Sequence, residues 1–434
     1  MGSALQQNRS RMRVLCVLHF FPPGGEEGCG RLHDFVSALV RRGHLVTVVT
    51  GRTSYQTGKP FARFRGRLLI RELEAEGCQT IRVWTLPGYH HGVATRAAGL
   101  LLFMLSALCI ALLIPRPHLV FASSPPPTVG LVAAVVARLR RAKFLFEVRD
   151  TWIDDAESLG LVRPGPILSI ARGFERWIER TADSIIAVTP GIRDKLLRIG
   201  TAPSRVTMIP NGVDTITFQG GPVDPSVRPA YGIPPQAFLV VCAGALGLNN
   251  HPDTLVEAAT LLQENSAIRL LVVGDGSARA KAEHRARKLR LPNIRFVGWL
   301  PRRQIPAILR TADAAICIAK DNELNKIAYA NRAFEAMAMG KPLLCAIDGL
   351  LRDLVESAAA GLYAAPGSGA ALAGAISALA CMPEAARRAM GDRGRQLVIH
   401  EFPRQKMIDR MLDQAEGIVL TGALLTAPGR CLAK

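Results

Sequence analysis

Short apolar runs of strand length alternate with helix-length segments along this chain, and the alternation restarts after a break near the middle. The strand candidates of the first half are Val14–His19, Leu45–Thr50, Ile81–Leu86, Val120–Ser123, Lys143–Val148, Ser184–Val188 and Val206–Ile209. Residues 46–50 read VTVVT, a β-branched run that packs well on a pleated surface. A helix is expected from about Gly30 to Arg42, with Gly43 at its C′ position. Thr217 to Gln236 is dense in Gly and Pro, which is the composition of a linker. Strands then resume at Phe238–Ala243, Leu270–Val273, Ile294–Val297, Ala314–Cys317 and Pro342–Cys345, with a helix from about Pro252 to Gln263. Such alternation predicts an α/β chain of two Rossmann-like, doubly wound parallel sheets. The expected division is 1–216, a linker 217–236, a second domain 237–400, and a C-terminal helix and tail 401–434 whose packing partner the spacing does not reveal. Two such domains leave a cleft at their strand carboxyl ends, so motifs just after strands carry most weight.

Composition narrows the function classes. The 434 residues carry 54 Lys and Arg against 35 Asp and Glu, a formal charge of +19. A nucleic acid, an anionic membrane surface or an anionic substrate each explains such an excess. Aromatics are only 6% and no nucleic-acid-binding signature is present, which disfavours a nucleic-acid partner. The nine cysteines form no CxxC pair, which argues against a zinc ribbon or disulfide scaffold and for core thiols in the cytosol. The run Val14 to Phe21 ends in Pro22-Pro23-Gly24-Gly25, so it reads as a strand rather than a signal peptide.

Two segments bear on a membrane. Ala97 to Ile114 is uncharged for eighteen residues, about 27 Å of helix, at the lower limit for a span. If the strands that flank it belong to one sheet, the helix must return on the same side of the membrane, so burial in the fold or the interface is expected ahead of a span. Between Asp34 and Glu72 there is no acidic residue and there are eight Lys and Arg. There Lys59, Arg63 and Arg65 interleave with Phe61 and Phe64, a pattern that suits either anionic headgroups or a solvated basic loop.

Five motifs follow strands, and a sixth lies on a helix that leads into one. Residues 20–31, FFPPGGEEGCGR, make a glycine turn before a helix start but not GxGxxG, because His33 stands at the third glycine; no acid follows the second strand for a ribose. EVRDTW (147–152) puts Asp150 at a strand end, to accept a proton, to bond a sugar hydroxyl, or simply to cap a helix. IPNGVD (209–214) is a turn. Gly244 and Gly247, followed by Asn249-Asn250-His251, offer an anion cradle or an ordinary loop. Gly274 and Gly298, with Leu300 beside the latter, end two further strands where a flat base could lie on backbone, or where the chain simply turns. In residues 330–343, ANRAFEAMAMGKPL, Arg332 and Glu335 are three apart on one helix. They suit a phosphate and the hydroxyl pair of a ribose, or equally an i,i+3 ion pair.

In this order, and with RPHLVFASSPP (116–126), the motifs resemble the retaining glycosyltransferases of family 4, over about Arg13 to Gln414. The branch most similar builds bacterial surface polysaccharides, including fucosamine transferases of colanic-acid and O-antigen type. The resemblance implies a GT-B fold and a UDP- or GDP-sugar donor, with no metal or other cofactor. It also implies a lipid-linked saccharide acceptor and work at the cytoplasmic face of an inner membrane, as a peripheral or monotopic protein. By the same resemblance Gly24 and Gly25 border the donor diphosphate, Asp150 faces the reacting sugar and Arg332 takes the phosphate-binding position. Glu335 takes the ribose-binding position, and Gly298 and Leu300 lie near the base. Two positions depart from the family: Ile327 stands eight before Glu335 where the first acid of a pair belongs, and Asn249, Asn250 and His251 stand where relatives carry a cation. A nucleotide-sugar epimerase of the same fold and a weakened membrane-bound partner of another transferase are the alternatives.

Overall fold

The computed structural model describes residues 11–25, 30–54, 58–74, 77–87, 92–150, 153–154, 157 and 165–426. The chain divides into two compact units: residues 1–209 with 408–434, and residues 210–407.

The first unit is built on eight strands: β1 (Arg13–Leu18), β2 (Leu45–Gly51), β3 (Leu69–Leu73), β4 (Gln79–Val83), β5 (Leu119–Ser124), β6 (Lys143–Val148), β7 (Ser184–Ala187) and β8 (Val206–Met208), in the order β3-β4-β2-β1-β5-β6-β7-β8. All neighbours are parallel except β3, which runs antiparallel to β4. The central strands are buried on both faces, which is why they read as continuous apolar runs. β3 escaped the sequence reading because it is an edge strand. Ile70 points inward while Leu69, Arg71 and Leu73 are exposed, and charge on an edge protects it from pairing with another chain.

Helix α1 (Gly30–Arg41) ends where expected. Gly43 has φ 87° and donates to Val40 O at 2.8 Å, and His44 N donates to Leu39 O at 3.1 Å. Helix α2 (Val93–Leu113) is the crossover from β4 to β5 and packs beside α3 (Pro127–Arg140). It buries Leu100, Phe103, Ala107 and Ala111 but leaves Leu101, Leu105 and Leu113 more than half exposed. The segment is therefore neither wholly buried nor detached from the fold.

Buried charge ties this unit together. Glu147, at the end of β6, is fully buried; Arg31 Nε of α1 lies 3.0 Å from one carboxylate oxygen and Ser123 Oγ of β5 donates to the other at 2.6 Å. Arg31 Nη2 also donates to Ile209 O at 3.1 Å. On β4 the buried Arg82 pairs with Glu72 (2.8 Å) and Glu74 (2.7 Å) and donates to Phe21 O (2.6 Å). The C-terminal helix Arg404–Thr426 belongs to this unit from Ile408 onward. It buries Ile408, Met411, Leu412 and Ala415, and Glu416 meets Arg42 and His44, each at 3.0 Å. That supplies the partner the sequence left unread.

The second unit has six parallel strands: β9 (Phe238–Ala243), β10 (Ile268–Val273), β11 (Ile294–Gly298), β12 (Ala314–Ile318), β13 (Leu343–Ala346) and β14 (Gly361–Tyr363), in the order β11-β10-β9-β12-β13-β14. The stretch 217–236 is not a free linker. Its Phe218, Val227 and Ile233 are buried in the core formed by β9, β10 and β12, and the unit begins at Pro210. Turn-forming Pro and Gly signalled a break there, but the three apolar side chains between them decide where the segment packs.

Removing one member of a buried pair strands the other charge, at a cost of about 3–5 kcal/mol. Glu147→Ala is expected to destabilise the first unit by that amount in denaturant unfolding followed by tryptophan fluorescence. Arg71→Ala, on the exposed edge, is expected to change it by less than about 0.5 kcal/mol.

Candidate functional site

From β9 the chain steps outward to β10 and β11, then returns to β12 on the other side of β9. The loops leaving β9 and β12 therefore diverge, and open α/β sheets bind ligands in the crevice at such a switch point. A cavity of about 330 Å³ lies there, lined by Gly244 and Ala245 after β9, Ala319 after β12, and Asn250, Asn325, Ala328, Tyr329, Ala330, Asn331, Arg332 and Ile347. None of these lining residues is acidic. The helix Asn331–Ala338 points its N-terminus at the cavity, and helix N-termini favour anions.

Arg332 is fixed from three sides. Its Nε lies 3.1 Å from Cys317 Sγ, and its Nη2 donates to Asn250 Oδ1 at 2.7 Å and Ile318 O at 2.6 Å. Burial pushes the neighbouring Cys242 thiol up to about 12, against the pull of Arg332, so it stays protonated. Two glycines permit this packing. Gly274, at φ 140°, would place a Cβ 1.8 Å from Gly244 O, and Gly244, at φ 146°, would place one 3.0 Å from Arg332 Cδ.

Asn249 does not line the cavity. Its side-chain oxygen accepts from Asn322 (2.9 Å) and Asn325 (3.0 Å), and its amide donates to Asn325 Oδ1 (2.9 Å). These bonds tie the loop after β9 to the loop after β12. Gly247, Gly274, Gly298 and Leu300 likewise stand outside the lining. Leu300 packs on the core, Gly247 precedes the helical turn Leu248–Asn250, and Gly298 O accepts from Gly274 N at 2.8 Å. The loop that carries Ile327 follows the helical turn Glu323–Lys326, whose Glu323 is exposed and pairs with Lys326 at 2.9 Å. No carboxylate takes the place of the expected first acid in the cavity.

Arg332 and Glu335 face different partners instead of pairing with each other. Glu335 Oε1 lies 2.8 Å from Arg302 Nη2, with 16% of the side chain exposed. Burial raises the Glu335 carboxyl, Arg302 and Arg404 pull it back, and Asp214 adds to the rise. Asp214 itself is held below its usual range, because the bonds from Thr217 and Ile216 and the charge of Arg404 outweigh its own partial burial.

The first unit holds the other candidates. Gly24 (φ 68°) and Gly25 lie in the turn Pro23–Gly25 after β1, just before residues 26–29, which fall outside the described set. Asp150 leaves β6 and is reached by solvent. Nearby protein still displaces enough water to raise its carboxyl, with Arg149 pulling it back. The alternative that it caps a helix falls on residues 151 and 152, outside the described residues. Phe64 is 1% exposed, with Arg82 4.9 Å from its ring, so it is a core residue and not a lipid-facing one. Phe61 is half-buried against it, ring centroids 5.9 Å apart, while Lys59, Arg63 and Arg65 are exposed.

Sequence reasoning missed Asn325, Cys317 and Arg302, and named Asn250 only as part of the loop after Gly244. Asn250 had a signal, adjacency to the glycine loop. The others act through contacts 15 to 76 residues away, which spacing along one segment does not show.

Residues 30–212 match the family described as glycosyl transferase 4-like domain, and residues 224–397 match glycosyl transferases group 1. WcaI of Escherichia coli (strain K12), a glycosyl transferase named for colanic acid biosynthesis, is 24% identical over 303 residues, 66% of this chain and 72% of the relative. The chain spans about half the length of several further curated relatives. Among solved structures, sucrose-phosphate synthase of Thermosynechococcus elongatus superposes with a TM-score of 0.72 at 19% identity, covering 96% of this chain and 100% of that one. HepE of Anabaena, solved with UDP and glucose, superposes with a TM-score of 0.68 at 17% identity, covering 94% and 100%. These matches, with two largely parallel sheets wound as described, make the chain a glycosyltransferase enzyme of family 4 with the GT-B fold.

Proposed function

We propose that the chain transfers a sugar, with retention of configuration, from a UDP- or GDP-sugar to a lipid-linked saccharide during synthesis of a bacterial surface polysaccharide. The observation that carries this reading is Arg332, held at a cavity with no acidic lining, beside a helix N-terminus at the switch point of the second sheet. That environment suits a leaving diphosphate, whose charge grows as the glycosidic bond breaks. Arg332 and the first N–H groups of the helix Asn331–Ala338 take up that charge, and neither metal nor cofactor is part of the reading. Glu335 accepts the ribose hydroxyls, and Asp150 bonds a hydroxyl of the reacting sugar or takes its proton. HepE, solved with UDP and glucose, supports a nucleotide-sugar donor, and WcaI, named for colanic acid biosynthesis, supports the polysaccharide role.

The lipid-linked acceptor goes with a membrane-surface location at the cytoplasmic face of the inner membrane. Support comes from the exposed apolar stripe of α2, Leu101, Leu105 and Leu113, and from the exposed cations Lys59, Arg63 and Arg65 of the same unit. Apolar side chains enter the acyl boundary while cations meet anionic headgroups at about 1 kcal/mol each.

Purified protein given UDP- and GDP-sugars is expected to release nucleoside diphosphate only when a polyprenyl-diphosphate saccharide is present. Arg332→Ala should lower that turnover by about 10²–10³-fold; full retained activity overturns the site assignment. Flotation on anionic vesicles is expected to fall steeply as salt rises, since the Debye length shortens from about 10 Å at 0.1 M to about 3 Å at 1 M. Leu101→Asp with Leu105→Asp should abolish flotation while leaving UDP binding intact. Flotation that ignores both salt and these changes would remove the membrane reading.

A further inference from the structure

Arg302 stands out because no motif pointed to it. It opens the helical turn Arg302–Gln304, two residues after Leu300, and its guanidinium lies 4.9 Å over the ring of the buried Phe218. That packing sets the direction of the side chain, which ends 2.8 Å from Glu335 Oε1. The contact is a salt bridge from Nη2 to one carboxylate oxygen, Oε1.

We propose that Arg302 is a positioning residue. It holds the Glu335 carboxylate in the orientation that accepts hydrogen bonds from a vicinal diol, the chemistry a nucleoside diphosphate presents through its ribose. The inference rests on the reading that Glu335 binds that ribose, and it adds how the carboxylate is held for the task. Burial disfavours the ionised carboxylate, and the adjacent Arg302 guanidinium offsets that while contacting Oε1. The groups that face it are Arg302 from the turn after β11, Arg404 from the start of the C-terminal helix, Asp214 from the loop after β8, and Arg332 on its own helix. Arg302 is the strongest opposing influence on the burial that raises the Glu335 carboxyl. Removing it lets the carboxyl rise further. Binding that needs the ionised form is lost as pH falls through that value, so the acid limb moves to higher pH.

The test measures calorimetric binding of UDP and GDP, and of their 2′-deoxy counterparts, to the wild-type chain and to Arg302→Met, Arg302→Lys and Glu335→Gln. Methionine keeps the apolar packing on Phe218 and removes the charge. Wild type is expected to favour the ribonucleotide at least tenfold. Arg302→Met should reduce that preference below threefold and move the acid limb of binding to higher pH, and Arg302→Lys should recover part of both. Thermal unfolding of each variant, within a few degrees of wild type, separates these effects from loss of fold. A preference and pH profile unchanged in Arg302→Met overturn the positioning role. A wild type indifferent to the 2′-hydroxyl, with Glu335→Gln binding equally well, overturns the ribose reading and the inference with it.

Discussion

Everything at the candidate site depends on how closely β9 and β10 approach at their carboxyl ends. A Cβ on Gly274 would sit 1.8 Å from Gly244 O, a separation no packed atoms tolerate. Only because both positions lack side chains does the loop after β9 lie flat against β10. That leaves space for Arg332 to cross from its helix and reach Asn250 and Ile318 O. Gly244 in turn borders that guanidinium, so two absent side chains and one long one define the cavity wall. The strand order then places this wall beside Ala319 after β12, where the order of strands along the sheet switches from one side of β9 to the other.

This explains which parts were legible in the sequence. Parallel strands buried on both faces write themselves as apolar runs, so twelve of the strands and their alternation with helices were visible, to within a few residues at each end. Gly244 and Arg332 were visible because glycine after a strand and arginine at a helix start are local signals. What escaped were long-range pairings. Arg31 and Glu147 belong to two separate motifs, yet they meet in the core with Ser123 at distances of 3.0 and 2.6 Å. A buried pair of this kind costs desolvation and needs further hydrogen bonds to be tolerated, and Ser123 and Ile209 O supply them. Charge in a motif after a strand can therefore be scaffold rather than chemistry, and three-dimensional partners tell the two apart.

The excess of 19 positive charges shows the same limit. The acid-free stretch 35–71 read as one basic surface. Folded, it divides. Phe64 goes inside under Arg82, whose charge is met by Glu72 and Glu74 just beyond the stretch, while Lys59, Arg63, Arg65 and Arg71 stay outside. Helix α2 divides likewise by face: Phe103 and Ala107 pack inward while Leu101 and Leu105 look out. A hydropathy window averages over the helix circumference and so registers the length of the apolar run but not the half of it that packing consumes.

The segment IPNGVD shows how a weak turn signal acquires structural meaning. Val213 N donates to Phe402 O at 2.8 Å and Arg404 N donates to Val213 O at 2.9 Å, so two stretches nearly two hundred residues apart pair as a bridge. Gly212, at φ 69°, lies where a Cβ would come within 2.9 Å of Arg404 Cα, which is why the turn needs glycine there. Asp214, which follows Val213, and Arg404 are the groups whose charges reach Glu335 beside Arg302. The backbone pairing therefore fixes two of the charges around that carboxylate. That share of its electrostatic setting depends on how residues 213 and 403 meet, a relation that neither segment carries alone.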